Sequence, residues 1–447
     1  MRRISDGATR ALPTLVGAAV LPALIFALVY ARTIDLPFWD EWSFAPAIVA
    51  AHFGRIDWQS AWAQHNEHRI FFPVLLMAGL SRFGGWSALR ETLFGVGLVT
   101  LNLAVLWRML YRSLPGKLLP PVFLATSLLT FSLVQWENWF WGAGLEWFLA
   151  AGFAILSLHL VTHWGRNWLY LILALAAGTI SGYSSIAGFA CLPAGFLALL
   201  LCDRVQWRAV AFWFLGTAAG LFAYLRGFDP QPRFPASAQT IGSTLPGYAL
   251  AYIGAPLGSW GGVGPSTWLG VFALLVVVVA SIRCWRRKRA GRSIEPYIPW
   301  LGLCVFAIAN ALLTGYGRAG MGIEQALSSR YTTISTTLWI GVTVLIVLLR
   351  SDIKRGRVGI VSMPLLDVTA AAAFLLLATL TQIHGYQQIG PFTDRIARGL
   401  VMIHDIKKPS DADLELLYPV PAYVRAQLSE LGAIHDAHLA DVLNRNP

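Results

Sequence analysis

Asp40 and Glu41 stand together just past the end of the first long apolar segment, within Phe38-Trp39-Asp40-Glu41-Trp42. An acidic pair has no part in spanning lipid. At the water-facing rim of a bilayer, two carboxylates suit a transfer between a lipid-carried donor and an acceptor. One takes a proton while the other orients a group or a cation. Asp40 is accordingly the expected general base, and Glu41 its orienting or cation-binding partner. The flanking Trp39 and Trp42 either hold a sugar face or belong to the aromatic belt of a membrane protein.

Four further groups carry chemistry. Gln64-His65-Asn66-Glu67-His68-Arg69 offers imidazoles and a carboxylate. His65, Glu67 and His68 could join the acidic pair around a divalent cation, or bind substrate by hydrogen bonds, although the spacing is not that of a helical zinc motif. Arg69 either meets a donor phosphate or extends its stem along the interface. Glu137 and Asn138 lie among Trp136, Trp139, Phe140 and Trp141, a mixture of aromatics, amide and acid that suits a carbohydrate. Arg330 and Tyr331 open a late apolar run, with Arg318 shortly before. A guanidinium there can grip a lipid phosphate bidentately and stabilise it as it leaves.

The elements that must position these residues are membrane helices. Hydrophobic residues make up 56% of the 447, charged residues only 13%, and mean hydropathy is +0.59, too apolar for a water-soluble surface. Apolar runs at roughly 11–31, 91–110, 118–134, 142–162, 167–181, 186–202, 209–225, 267–282, 297–316, 331–349 and 363–383 give about eleven spans. The first reaches Arg32 without a small-residue cleavage site and reads as a retained helix. Lys and Arg concentrate in alternate loops: Arg2, Arg3 and Arg10; Arg108, Arg112 and Lys117; Arg166; Arg204 and Arg208; the run Arg283 to Arg292; and Arg350 to Arg357. Cytoplasmic retention of basic residues places the N-terminus and these loops inside, and the Asp40-Glu41 loop and C-terminal tail outside. The net charge of +11 is then a topology signal rather than a nucleic-acid footprint. No Walker or GxGxxG motif supports a nucleotide-driven mechanism.

Three outward segments are long enough to build structure. Within 32–90, Ser43 is placed to cap a short interfacial helix through His52, with Pro46 in its first turn, and Ile70 to Leu80 forms a second interfacial helix. The segment from Phe228 through Pro265, rich in Gly and Pro, reads as an irregular loop with a short helix near Pro246 to Ala255. The tail 385–447 has helical patterning around Thr393 to His404 and Val424 to Leu439, and at its size reads as a cap on a membrane module spanning 1–384.

The order of Asp40-Glu41, an interfacial helix, Gly54-Arg55-Ile56-Asp57-Trp58, His65-Asn66-Glu67-His68 through Pro73, and then many spans resembles the GT-C superfamily of membrane glycosyltransferases. The similarity is strongest to the protein O-mannosyltransferase and lipid A aminoarabinose transferase branches. The resemblance implies an all-α polytopic bundle with interfacial helices in its first outer loop. It also implies a sugar taken from a polyprenyl-phosphate carrier and placed, with inversion, on a glycan, lipid or protein acceptor at the outer face of a bacterial inner membrane. Members place arginines in a similar late outer loop. A polysaccharide polymerase or ligase would instead keep its key Arg and His residues in a large later loop. A flippase would pair ionisable groups deep within spans, where Asp367 is almost alone.

Overall fold

The computed structural model describes Gly17 and residues 19–165, 167–202, 205–229, 236–356, 364–405 and 410–433. Arg2, Arg3, Arg10, Arg166, Arg204, Arg357 and the stretch from Ile434 to Leu439 lie outside the described residues.

The chain is an all-α polytopic membrane protein. Its helices are α1 (Ala19–Arg32), α2 (Ala45–His52), α3 (Trp58–Trp62), α4 (Phe71–Ser81), α5 (Ala88–Ser113), α6 (Leu119–Thr130), α7 (Trp136–Phe140), α8 (Leu145–Thr162) and α9 (Trp168–Ser184). They continue with α10 (Cys191–Leu201), α11 (Trp207–Leu225), α12 (Ala238–Gly258), α13 (Val263–Arg289), α14 (Ile298–Arg318), α15 (Thr332–Gly356), α16 (Pro364–Asp405), α17 (Asp411–Glu415) and α18 (Pro421–Ala433). Among the described residues, eight segments are long and apolar enough to cross a membrane: Ala88–Ser113, Leu119–Phe140, Gly142–Thr162, Trp207–Leu225, Val263–Arg289, Glu295–Met321, Ser329–Asp352 and Val368–Leu400. Each coincides with an expected span. The other three expected spans correspond to shorter apolar helices, Ala19–Arg32, Trp168–Ser184 and Ile186–Leu201.

The bundle has two chemically distinct ends. At one, Asp352 accepts from Arg287 at 2.6 Å and from the Tyr297 hydroxyl at 2.7 Å, while Lys288 donates to the carbonyls of Leu201 and Cys202 at 3.2 Å. The opposite end carries the first loop, the starts of α5, α8 and α15, and the end of α14. A separate apolar core sits there: Leu36, Phe38, Trp42 and Ile48 of the first loop pack with Ile396, Leu414, Leu417 and Val424 of the tail. Full burial of each such side chain contributes roughly 1.5–3 kcal/mol, so loop and tail fold as one body.

Three expectations need correction, and one element was not expected. The short helix expected near Pro246 to Ala255 within an irregular loop is the middle of the 21-residue helix α12, whose N-terminus is capped by the Ser237 hydroxyl accepting from Thr240 N–H at 3.0 Å. Its glycines are packing surfaces rather than breakers. A Cβ on Gly254 would fall 1.7 Å from the Ser266 carbonyl oxygen, and one on Gly270 2.1 Å from that of Leu250. The backbones of α12 and α13 therefore touch, as small residues allow between membrane helices. Ser43 does not cap α2, which begins behind Phe44; Pro46 does sit in its first turn. The Thr393–His404 helix is not separate, because α16 continues through Pro391, so position 385 lies inside a helix. Finally, Gln64–His65 and His68–Arg69 form a two-stranded antiparallel hairpin, here β1 and β2, that the sequence reading did not include. Its turn needs Asn66 at φ +52°, a left-handed conformation that Asn tolerates better than most residues.

Candidate functional site

Trp39–Phe44 forms a 3-10 turn that sends its two acids in opposite directions. Glu41 is fully buried. Its carboxyl accepts from Phe38 N–H at 2.6 Å and Ala143 N–H at 2.8 Å, stitching the turn to the loop before α8. Burial pushes its pKa up to about 8, against those two bonds and helped by the charge of Asp35. Glu41 thus holds the turn in place and lines neither of the cavities described below, contrary to a direct catalytic or cation-binding role.

Asp40 faces open space. Its Oδ2 lies 3.4 Å from His65 Nε2, and its own carbonyl accepts from Ser43 Oγ at 2.6 Å. Ser43 Oγ also meets His65 Nδ1 at 3.1 Å. With the single Ser43 proton given to the carbonyl, His65 must donate from Nδ1, which fixes the ring against Asp40. Burial opposes ionisation of Asp40. The hydrogen bond and charge of His65, then the charge of Arg330, outweigh it and leave the carboxyl below its usual range.

Two cavities meet at this residue. The first lies between the hairpin turn, α8, the turn before α10, and α14. Asp40, Glu67, His68, Arg318, Arg330 and Tyr331 line it, six of the eleven residues singled out from sequence. The second opens towards the tail and is walled by Trp39, Trp136, Glu137, Phe392, Arg395 and Tyr418. Asp40, Asn66, Trp141, Arg318 and Arg330 belong to both walls, so the base candidate sits at the junction.

The cations at the junction are held from behind. Arg318 pairs with Glu67 at 2.8 Å. Arg330 Nη1 stands 3.9 Å from Glu137, whose Oε2 also accepts the Arg330 backbone N–H at 2.9 Å, and its guanidinium lies 5.5 Å from the Tyr331 ring centre. Asn138 is buried and donates to the Arg330 carbonyl at 2.9 Å and to Thr333 Oγ1 at 2.8 Å. It braces the Arg330 backbone and touches neither cavity, so of the expected pair only Glu137 lines a cavity.

Arg69 is likewise a strut. Its Nε donates to the Tyr224 carbonyl at 3.1 Å, Nη2 to that of Arg226 at 3.0 Å and Nη1 to that of Trp62, joining the hairpin to the end of α11. It lines neither cavity and is placed neither on a donor phosphate nor along the interface. His68 points the other way, with Nδ1 3.7 Å from Glu146 Oε1. Burial, and then the charges of His65 and Arg318, depress its pKa to about 3, so it is neutral at physiological pH. No three His, Cys, Asp or Glu side chains among the described residues converge to hold a metal ion: His65 is directed to Asp40, Glu67 to Arg318 and His68 to Glu146.

Glu146 was not singled out from sequence, although it is an ionisable residue in the first turn of an apolar span and lines the first cavity with Trp147. Glu91 is a second such acid, in the first turn of α5. Acids inside apolar runs are therefore not confined to Asp367, but both lie at the site end of their helices and not deep in the bundle. Trp42 is enclosed against Trp86, ring centres 5.8 Å apart, and only Trp39 of the flanking pair faces a cavity. Gly54 and Asp57 serve the backbone: Gly54 takes φ +69°, and Asp57 caps α3 through Ser60 N–H at 3.0 Å. Comparison with known proteins finds no matching family model, curated protein or solved structure.

Proposed function

We propose that the chain is an inverting, GT-C-like glycosyltransferase that moves a sugar from a polyprenyl-phosphate carrier to a cell-envelope acceptor at the outer face of a bacterial inner membrane. One observation carries this reading: a carboxylate held ionised stands at the junction of two cavities, beside two arginines. A group-transfer enzyme needs that arrangement, with one chamber for each substrate and the base where they meet.

The first cavity suits the donor. Arg330 and Arg318 face its phosphate, while His68 and Glu146 offer polar atoms to the sugar hydroxyls. The acceptor reaches Asp40 from the second cavity. Its hydroxyl oxygen attacks the anomeric carbon, and the carbon–oxygen bond to phosphate breaks on the opposite face. Asp40 takes the hydroxyl proton. The departing phosphate gathers charge, which Arg330 stabilises, and its loose pairing with Glu137 leaves the planar guanidinium able to turn to that anion. His65 holds the Asp40 carboxylate in register.

The test is mass spectrometry of envelope glycans and polyprenyl-phosphate sugars from cells with and without the gene. Loss of one sugar from a glycan, with accumulation of its lipid-linked donor, is the expected result. Unchanged glycans and unchanged lipid donors would end the proposal.

A further inference from the structure

The second cavity presents three arginines and two carboxylates: Arg318, Arg330, Arg395, Asp40 and Glu137. Arg318 is matched by Glu67 and Arg330 by Glu137. Arg395, on α16, is matched by aromatic faces alone. Its guanidinium carbon lies 5.4 Å from the Phe38 ring centre and 5.2 Å from that of Trp39, and no ion pair among the described residues includes it. A guanidinium laid on aromatic rings keeps its donor edge for a planar anion, to which it binds bidentately.

The Trp39 platform is built at a cost. Its backbone is left-handed, φ +53°, a conformation that strains a bulky residue by about 1 kcal/mol or more. A hydrogen bond from its N–H to the Leu417 carbonyl, 2.7 Å, helps to hold it there. Trp136 and Trp141 add two more faces on which the apolar side of a sugar ring can stack.

From this geometry we propose that the second cavity selects an anionic acceptor sugar, its ring on the tryptophans and its carboxylate or phosphate group on Arg395. The inference rests on the reading above only in calling this ligand the acceptor. The full chain in lipid nanodiscs should be titrated by calorimetry with three trisaccharides: one ending in a uronic acid, its methyl ester, and a counterpart carrying phosphate in place of the carboxylate. At least one anionic form should bind about tenfold tighter than the ester or better, the range of a charge-assisted hydrogen bond. Arg395→Ala should bring that ratio near one, and Arg395→Lys should keep part of it. A preference for phosphate over carboxylate would name the anion.

Equal binding of ester and acid, no binding of any form, or a preference that survives Arg395→Ala would overturn the proposal. Should Arg395→Ala fail to fold, the wild-type ratio and Arg395→Lys still decide: a wild-type preference well below about tenfold, or its full retention in Arg395→Lys, would overturn the bidentate contact proposed for Arg395. Sugar transfer from a polyprenyl-phosphate donor is assayed in parallel. Transfer without anion preference removes this inference alone, whereas anion preference without transfer to any acceptor removes the enzymatic reading alone.

Discussion

Adjacent residues in this chain do different work because the backbone turns between them. Asp40 and Glu41 share a 3-10 turn, yet one faces the cavities while the other is sealed beneath them. Asp40→Asn keeps the shape but cannot take a proton, so turnover should fall by roughly a hundred- to ten-thousand-fold with donor binding intact. Because the Asp40 carboxyl is held below its usual range, its loss as a base should appear only in acid, below the ordinary carboxylate range. Near wild-type transfer by purified Asp40→Asn would exclude it as the base. Glu41 titrates in the opposite direction. Its raised pKa means that the fold's preference for the protonated form is full below the ordinary value of 4.5 and is lost as pH rises through about 8. The thermal midpoint in detergent should therefore decline from about pH 5 to about pH 8, and Glu41→Gln should flatten the decline. A slope unchanged in Glu41→Gln would assign the effect elsewhere.

The hairpin and the loop before α8 decide which side chains reach the site. In β2, His68 and Arg69 point to opposite faces, so one turns to Glu146 and the other to the end of α11. The His-rich stretch stood out in the sequence as polar, but the opposite directions of its side chains required knowing that it was a strand. Asp40, Arg318 and Arg330 were legible because polar residues at span ends stand out against apolar runs. Glu146 was not, since a single acid one residue into an apolar helix leaves the run apparently intact. The full length of α12 was hidden for a related reason: Pro256 and Gly258, just past the short helix expected at Pro246 to Ala255, read as loop residues, and only contact with α13 shows Gly254 and Gly258 to be a packing surface. Gly142 tests this scale directly. A Cβ there would fall 2.1 Å from Glu41 Oε1 and 2.2 Å from Glu91 Oε2, with both carboxyls buried and unable to retreat. Gly142→Ala should cost about 1–3 kcal/mol, the usual cost of overpacking, and should lower transfer by displacing the turn that carries Asp40. Unaltered stability and activity in that variant would contradict the proposed rigidity of the turn.

Across the whole molecule, basic clusters and the candidate site lie at opposite ends of the bundle. The proposed orientation follows from retention of positive charge in the cytoplasm. A cysteine replacing Trp58, exposed in the first loop, should react with a membrane-impermeant maleimide in intact cells, whereas one replacing Arg289 should react only after permeabilisation. The reverse pattern would remove the reaction from the outer face. The all-α membrane class was legible because composition alone excludes a soluble surface. The joining of first loop and tail was not, since Leu36 and Leu417 are distant in sequence and neither segment announces its partner.

One element crosses from lipid to the candidate site. Helix α16 runs 42 residues from Pro364 to Asp405, about 63 Å at the rise of an α-helix and roughly twice the thickness of a hydrocarbon core. Its far part carries Phe392 and Arg395 into the second cavity, just after Pro391, which gives the Gln387 carbonyl no N–H to bond. The helix is in effect a lever with its soft joint beside the load. A span answers a thicker or thinner bilayer by changing its tilt, and a few degrees at the buried end become ångströms at Arg395. Acyl-chain length would then set how wide the second chamber stands, making the surrounding membrane a determinant of what enters it.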